Sequence, residues 1–116
     1  MKRVAVTGLG VISPVGNDVP TFWNALCSGT CGIGPITKFD ATDYPVKLAA
    51  EVRDFDPKQY MEKLDILHSD VYTHFAMAAA CQAVADSGIA GTLDAERVGV
   101  YIGSGIGGIA TFMTEH

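Results

Sequence analysis

Positive charge is scarce in this sequence. Its 116 residues hold 8 Lys and Arg against 13 Asp and Glu, a formal net charge of −5 at pH 7, and only Lys2 and Arg3 stand side by side. A nucleic-acid partner needs clustered Lys and Arg to displace phosphate counterions, so that class of function is excluded. Nor does any apolar stretch approach the roughly 20 residues that cross a bilayer, and no membrane partner is expected. Lys2-Arg3 before Val4-Ala5-Val6 imitates the start of a secretory signal. Thr7, Gly8 and Gly10 break that apolar segment, however, and no small-residue cleavage site follows promptly, so the protein is expected to be cytoplasmic.

Cysteine is sparse as well: Cys27, Cys31 and Cys81. An odd count without a secretory signal argues against a disulfide framework. Cys27 and Cys31 have the spacing of two zinc ligands, but no second pair completes a site. No metal is expected, and the thiols are expected in the core. Low-complexity tracts are missing, while 48% of residues are hydrophobic and 18% charged. That is the composition of a folded domain.

Within these bounds the chain reads as α/β. Residues 3–7 form a short apolar run rich in β-branched side chains and closed by Gly8-Leu9-Gly10, the pattern of a buried strand feeding a tight loop. Asn17 or Asp18 then caps a helix with Pro20 in its first turn. Val19, Phe22, Trp23 and Leu26 give it one apolar face, and Gly29 is placed to stop it. Glycine and proline punctuate a loop over 31–44. Beyond it Val46, Leu48, Ala50 and Val52 alternate with Lys47, Ala49, Glu51 and Arg53, an extended segment expected to cover its apolar face. Asp56-Pro57 opens a short helix.

The strongest pattern is a helix over 69–87, ended by Gly88. Tyr72, Phe75, Ala76, Ala79 and Ala83 form one stripe, while Met77, Ala80, Cys81 and Val84 make other faces apolar. A helix apolar nearly all round belongs in an interior, and its alanines let it lie close to a neighbour. After a turn at 94–97, residues 98–102 read as a second buried strand, expected to run parallel to the first. A helix is expected from Ile109 to Glu115. Two buried strands cannot cover such a helix, so more chain or another chain is expected to complete the sheet.

Gly103, Gly105 and Gly108 match the G-x-G-x-x-G of a dinucleotide loop, in which glycines let backbone N–H groups approach a pyrophosphate. The acidic residue that pattern needs ~20 positions later is beyond the sequence, and Ser13 stands where the first loop would need its third glycine. A nucleotide-binding α/β module is therefore the weaker reading. Glycines serving a tight turn and close packing are commoner.

Taken together, Val4-Ala5-Val6-Thr7-Gly8-Leu9-Gly10-Val11-Ile12-Ser13-Pro14-Val15-Gly16-Asn17, Trp23-Asn24-Ala25-Leu26, Ser28-Gly29, Gly32-Ile33, Phe39-Asp40, Ala85-Asp86-Ser87-Gly88 and the Gly103–Gly108 loop fall in one order with fitting gaps. This series resembles the opening of the β-ketoacyl–acyl-carrier-protein synthases, the elongating condensing enzymes. The likeness is to the type II synthases of dissociated bacterial fatty acid synthesis, and type II polyketide ketosynthases share many of the features.

The resemblance implies a thiolase-like layered αβαβα fold, with residues 1–116 the beginning of its N-terminal half, and a homodimer when complete. It implies condensation of a cysteine-held acyl thioester with malonyl on acyl carrier protein, with no metal or redox cofactor. The family's thiolate nucleophile and its two histidines lie further along. Cys27, Cys31 and Cys81 match nothing catalytic, and His68, His74 and His116 precede the family's histidines. No catalytic residue is assigned, and the chain alone is expected to be inactive.

One binding position carries over from the resemblance: Ile106 matches the residue at the end of the acyl pocket, where bulk limits chain length. One position set departs from it. Leu64, Leu67 and His68 stand where relatives carry Lys or Arg residues that meet the acidic carrier protein, so docking by this segment is doubtful. Leu64, Ile66 and Leu67 are expected to form an apolar patch instead. Asp70 and His74, four apart, have the spacing of a metal pair but are expected to be a solvated pair.

Overall fold

The structure is a computed structural model and describes residues 2–115. Contacts divide these residues into two units, residues 11–55 and residues 2–10 together with 56–115.

The unit of residues 11–55 starts in a turn in which the Ser13 N–H donates to the Gly16 carbonyl at 2.9 Å. Helix α1, Val19–Cys27, follows. Asp18 is its cap: Oδ1 accepts from the Thr21 N–H at 2.7 Å and Oδ2 from the Thr21 hydroxyl at 2.9 Å. Asn17, the other candidate, turns away and donates from Nδ2 to the Arg53 carbonyl at 2.8 Å. Gly29 sits at φ 70°, where a side chain would be strained, and the helix stops there.

Strands β1, Ile33–Pro35, and β2, Leu48–Ala50, then pair antiparallel, with Ile33 opposite Ala50 and Pro35 opposite Leu48. The sequence pattern anticipates β2 but not β1, because Gly34 and Pro35 read as loop punctuation. Proline is tolerated on an edge strand whose N–H is not needed.

The covered face of β2 is the opposite of the expected one. Ala49 is half-buried and Glu51 buried, while Val46, Leu48 and Ala50 are exposed; of the expected set only Val52, beyond the strand, is half-buried. Glu51 decides this. Its Oε1 accepts from the Thr37 N–H at 3.1 Å and its Oε2 from the Thr37 hydroxyl at 2.6 Å, joining the residues that follow the two strands. Once that pair faces inward, strict alternation places Val46, Leu48 and Ala50 on the other side.

In the second unit a 3-10 turn, Pro57–Gln59, is capped by Asp56, whose Oδ1 accepts from the Lys58 N–H at 3.1 Å. Helix α2, Lys63–Leu67, leads to the long α3, Val71–Ser87, which ends as expected on left-handed Gly88 at φ 64°. A 3-10 turn, Ala95–Arg97, and helix α4, Ile109–Glu115, complete it.

Residues 8–10 lie along α3 through bare backbone. A Cβ on Gly8 would overlap the Ala83 carbonyl oxygen, and one on Gly10 that of Ala79. The Leu9 N–H between them donates to Asp86 Oδ2 at 2.9 Å. Ala78 is fully buried, but Val71, Tyr72, Met77 and Val84 of α3 remain exposed.

Residues 3–7 and 98–102, expected as parallel buried strands, belong to no ladder among the described residues. Val4 is 95% and Tyr101 97% exposed. Their β-branched composition favours extended chain, but a strand is defined by a hydrogen-bonded neighbour, which composition does not supply.

Two predictions follow from this packing. Gly10→Ala should cost about 1–3 kcal/mol, because the new methyl is forced against helix backbone. Gly103→Ala, where nothing stands within 4 Å of the added atom, should cost under about 0.5 kcal/mol; urea unfolding midpoints compare the two. The side-chain and backbone hydrogen bonds from Thr37 hold the Glu51 carboxyl below its ordinary value of 4.5. A group depressed in the folded state adds stability that is fully present above the unfolded value and is lost as pH falls through the folded one. Glu51→Gln should therefore flatten the loss of stability below pH 4.5, measured as unfolding midpoint against pH.

Candidate functional site

The N-terminal end of α3 gathers three features: the glycine loop of residues 103–108, helix α2, and α3's own first turn. Asp70 is the N-cap of α3, yet its carboxylate makes no capping bond. The Thr73 N–H goes to the Asp70 backbone carbonyl at 2.9 Å instead. The carboxylate accepts from the hydroxyl of Thr111, 41 residues further on in α4. It also fills the space beside Gly108, where a Cβ would collide with Oδ2. Gly107 is at φ 72°, and a Cβ placed on it would lie 3.7 Å from the Tyr72 ring. Its N–H donates to Ser104 Oγ at 3.0 Å.

The loop is thus held at one end and open at the other. Gly108 rests on Asp70, while no atom approaches within 4 Å of a Cβ placed on Gly103 or Gly105. Ile106 stands between the two ends, 76% exposed. A loop with one fixed end and one unpacked end is what a movable apolar wall requires.

The same geometry speaks against the dinucleotide reading. A phosphate brought to Gly108 would meet the Asp70 carboxylate already there, a like charge at contact distance.

Helix α2 has five residues, with Leu64 and Leu67 each 68% exposed, Ile66 half-buried and His68 exposed at the C-cap. The patch expected at 64–67 is therefore present as two leucines on open surface. Lys63 is the single positive charge among Glu62, Asp65 and Asp70, so the segment offers little to an acidic partner. A hollow of about 640 Å³ lies between α2, the turn at Pro57–Gln59 and α3, with Lys58, Glu62, Asp65 and His68 mixed among Met61 and Met77. A second, of about 220 Å³, is lined by Leu67, His68, Ser69, Asp70 and Thr111.

Asp70 and His74 are not a solvated pair. His74 is 8% exposed, and its Nε2 donates to the Ile66 carbonyl, which can only accept, at 3.2 Å. His74 therefore braces α2 against α3, and Asp70 braces the loop. Spacing along one helix cannot reveal that the two side chains have partners on different elements. Cys27, Cys31 and Cys81 are all free and exposed rather than in a core. Among the described residues no group of three His, Cys, Asp or Glu side chains could hold a metal ion, and no helix is long and apolar enough to cross a membrane. His116 lies outside the described residues.

Sequence reasoning missed Asp70, Tyr72 and Thr111. The one available signal was Asp70 at a helix start, and it pointed to capping.

Comparison with known proteins agrees with the resemblance. A 3-oxoacyl-acyl-carrier-protein synthase 2 of Coxiella burnetii is 52% identical over 109 residues, which are 93% of this chain and 26% of that protein. One of the same name from Vibrio harveyi is 47% identical over 116 residues, 99% of this chain and 28% of that one. The chain thus spans about a quarter of the length of these curated relatives. Among solved structures, the ishigamide ketosynthase/chain length factor superposes with a TM-score of 0.74 at 31% identity, covering 94% of this chain and 28% of that one. That likeness bears out the expected thiolase-like α/β class. The family model described as β-ketoacyl synthase, N-terminal domain, matches residues 1–116, and the chain belongs to that family.

Proposed function

We propose that this chain is the N-terminal segment of a 3-oxoacyl-acyl-carrier-protein synthase of fatty acid biosynthesis. The reaction is a decarboxylative Claisen condensation. Malonyl on the carrier protein loses carbon dioxide, the resulting carbanion attacks an acyl thioester, and the thiol that held the acyl group leaves. Residues 2–115 supply scaffold and the end of the acyl pocket in this reading, not the nucleophile. The complete enzyme is a cytoplasmic homodimer that uses acyl carrier protein.

The observation that carries the reading is Ile106 on the free side of a loop anchored at Gly108. An apolar side chain there can bound a hydrocarbon chain while the glycines let it shift. The bare apolar segments at Val4, Val6, Val100 and Ile102 also suit a sheet completed by further strands of a layered domain.

The test uses a complete condensing enzyme with this chain as its N-terminal segment. It should release carbon dioxide from malonyl–carrier protein and form 3-oxoacyl product. Ile106→Phe should lower kcat/KM for long primers by about 10-fold or more relative to short ones, the scale of a few methylenes lost from an apolar pocket. Unchanged relative rates across primer lengths would remove Ile106 from the pocket.

A second reading, a non-catalytic assembly partner of a type II polyketide ketosynthase, is favoured by α2, whose leucines replace the basic docking residues. Restoring basic side chains in that enzyme with Leu64→Lys, Leu67→Arg and His68→Lys should tighten carrier-protein binding by about 3- to 150-fold, from roughly 0.2–1 kcal/mol per exposed contact. Titration at low and physiological salt measures it, and no gain would place carrier docking elsewhere.

A further inference from the structure

We propose that Asp70 and Thr111 form a clamp that pins the C-terminal end of the glycine loop and so limits how far Ile106 can withdraw. Asp70 is then a positioning residue for primer length, an inference that rests on the reading of Ile106 just given. An aspartate at an N-cap ordinarily bonds its own helix. Asp70 forgoes that bond and commits its carboxylate to Thr111 and to the face of Gly108. The contact joins the first turn of α3 to the first turns of α4, and the loop lies immediately before α4. Gly107 donates its N–H to Ser104 Oγ inside the loop, and nothing stands within 4 Å of a Cβ placed on Gly103 or Gly105, so the slack in the loop lies before Gly107. How far that slack carries Ile106 depends on how firmly Gly108 stays on Asp70.

Thr111→Val removes the hydroxyl donor while keeping side-chain volume, and Asp70→Ala removes the acceptor. Asp70→Asn keeps an oxygen that can accept from Thr111. In the complete enzyme carrying this chain, Thr111→Val and Asp70→Ala should raise the ratio of kcat/KM for tetradecanoyl over hexanoyl primers. The expected rise is about three- to tenfold, the scale of one lost hydrogen bond. Asp70→Asn should stay near the parent ratio. Amide hydrogen exchange of residues 103–108 should quicken in Thr111→Val while that of α3 does not.

A uniform loss of rate for both primers, or an unmoved ratio beside an Ile106→Phe control that does shift it, would overturn the clamp and leave the pocket reading intact. An unmoved ratio in every variant, Ile106→Phe included, would overturn both. Should Asp70→Ala fail to fold, the volume-matched Thr111→Val decides alone.

Discussion

The seam between residues 8–10 and α3 is the constraint on which the larger unit depends. Gly8 and Gly10 lie so near the Ala83 and Ala79 carbonyls that neither could carry a side chain. Backbone meets backbone, and the alanines of α3 keep the helix thin enough for it. The amide between the glycines donates to Asp86 on the open side of that contact. Two motifs some seventy-five residues apart, Gly8-Leu9-Gly10 and Ala85-Asp86-Ser87-Gly88, are therefore two sides of one junction.

Along its length α3 acts as the bar to which other pieces are tied. Tyr60, just after the 3-10 turn, accepts from Gln82, α2 is braced by His74, and the glycine loop rests on Asp70. Each tie uses a polar group that a plainer reading would leave in solvent or give to the helix itself. The result is uneven rigidity. The anchored end of the glycine loop is continuous with the best-packed helix, while Ile106 is left with room.

The apolar surface left open has a pattern too. Val4 and Val6, Val100 to Ile102, and Val46 with Leu48 are all extended segments presenting branched or aromatic side chains. Such a composition is made for the middle of a layered sheet. The relatives are about four times as long as this chain, and a family built in layers supplies neighbours for such segments.

Local chemistry alone placed much of this protein. Capping and stop signals at Asp18, Gly29, Asp56 and Gly88 act within a few residues, so α1, α3 and the turn at Pro57–Gln59 could be read off with nearly their observed bounds. The glycine loop was legible as a motif, and the family as an ordered series of motifs. Tertiary structure decided what depends on partners far along the chain. Glu51 bonding Thr37 reversed the covered face of β2, His74 turned inward to Ile66, and Asp70 left its own helix for Thr111. Period and propensity say which way a side chain can point, but a hydrogen bond or a ladder needs a second group. Which group arrives is settled only when distant segments are brought together in space.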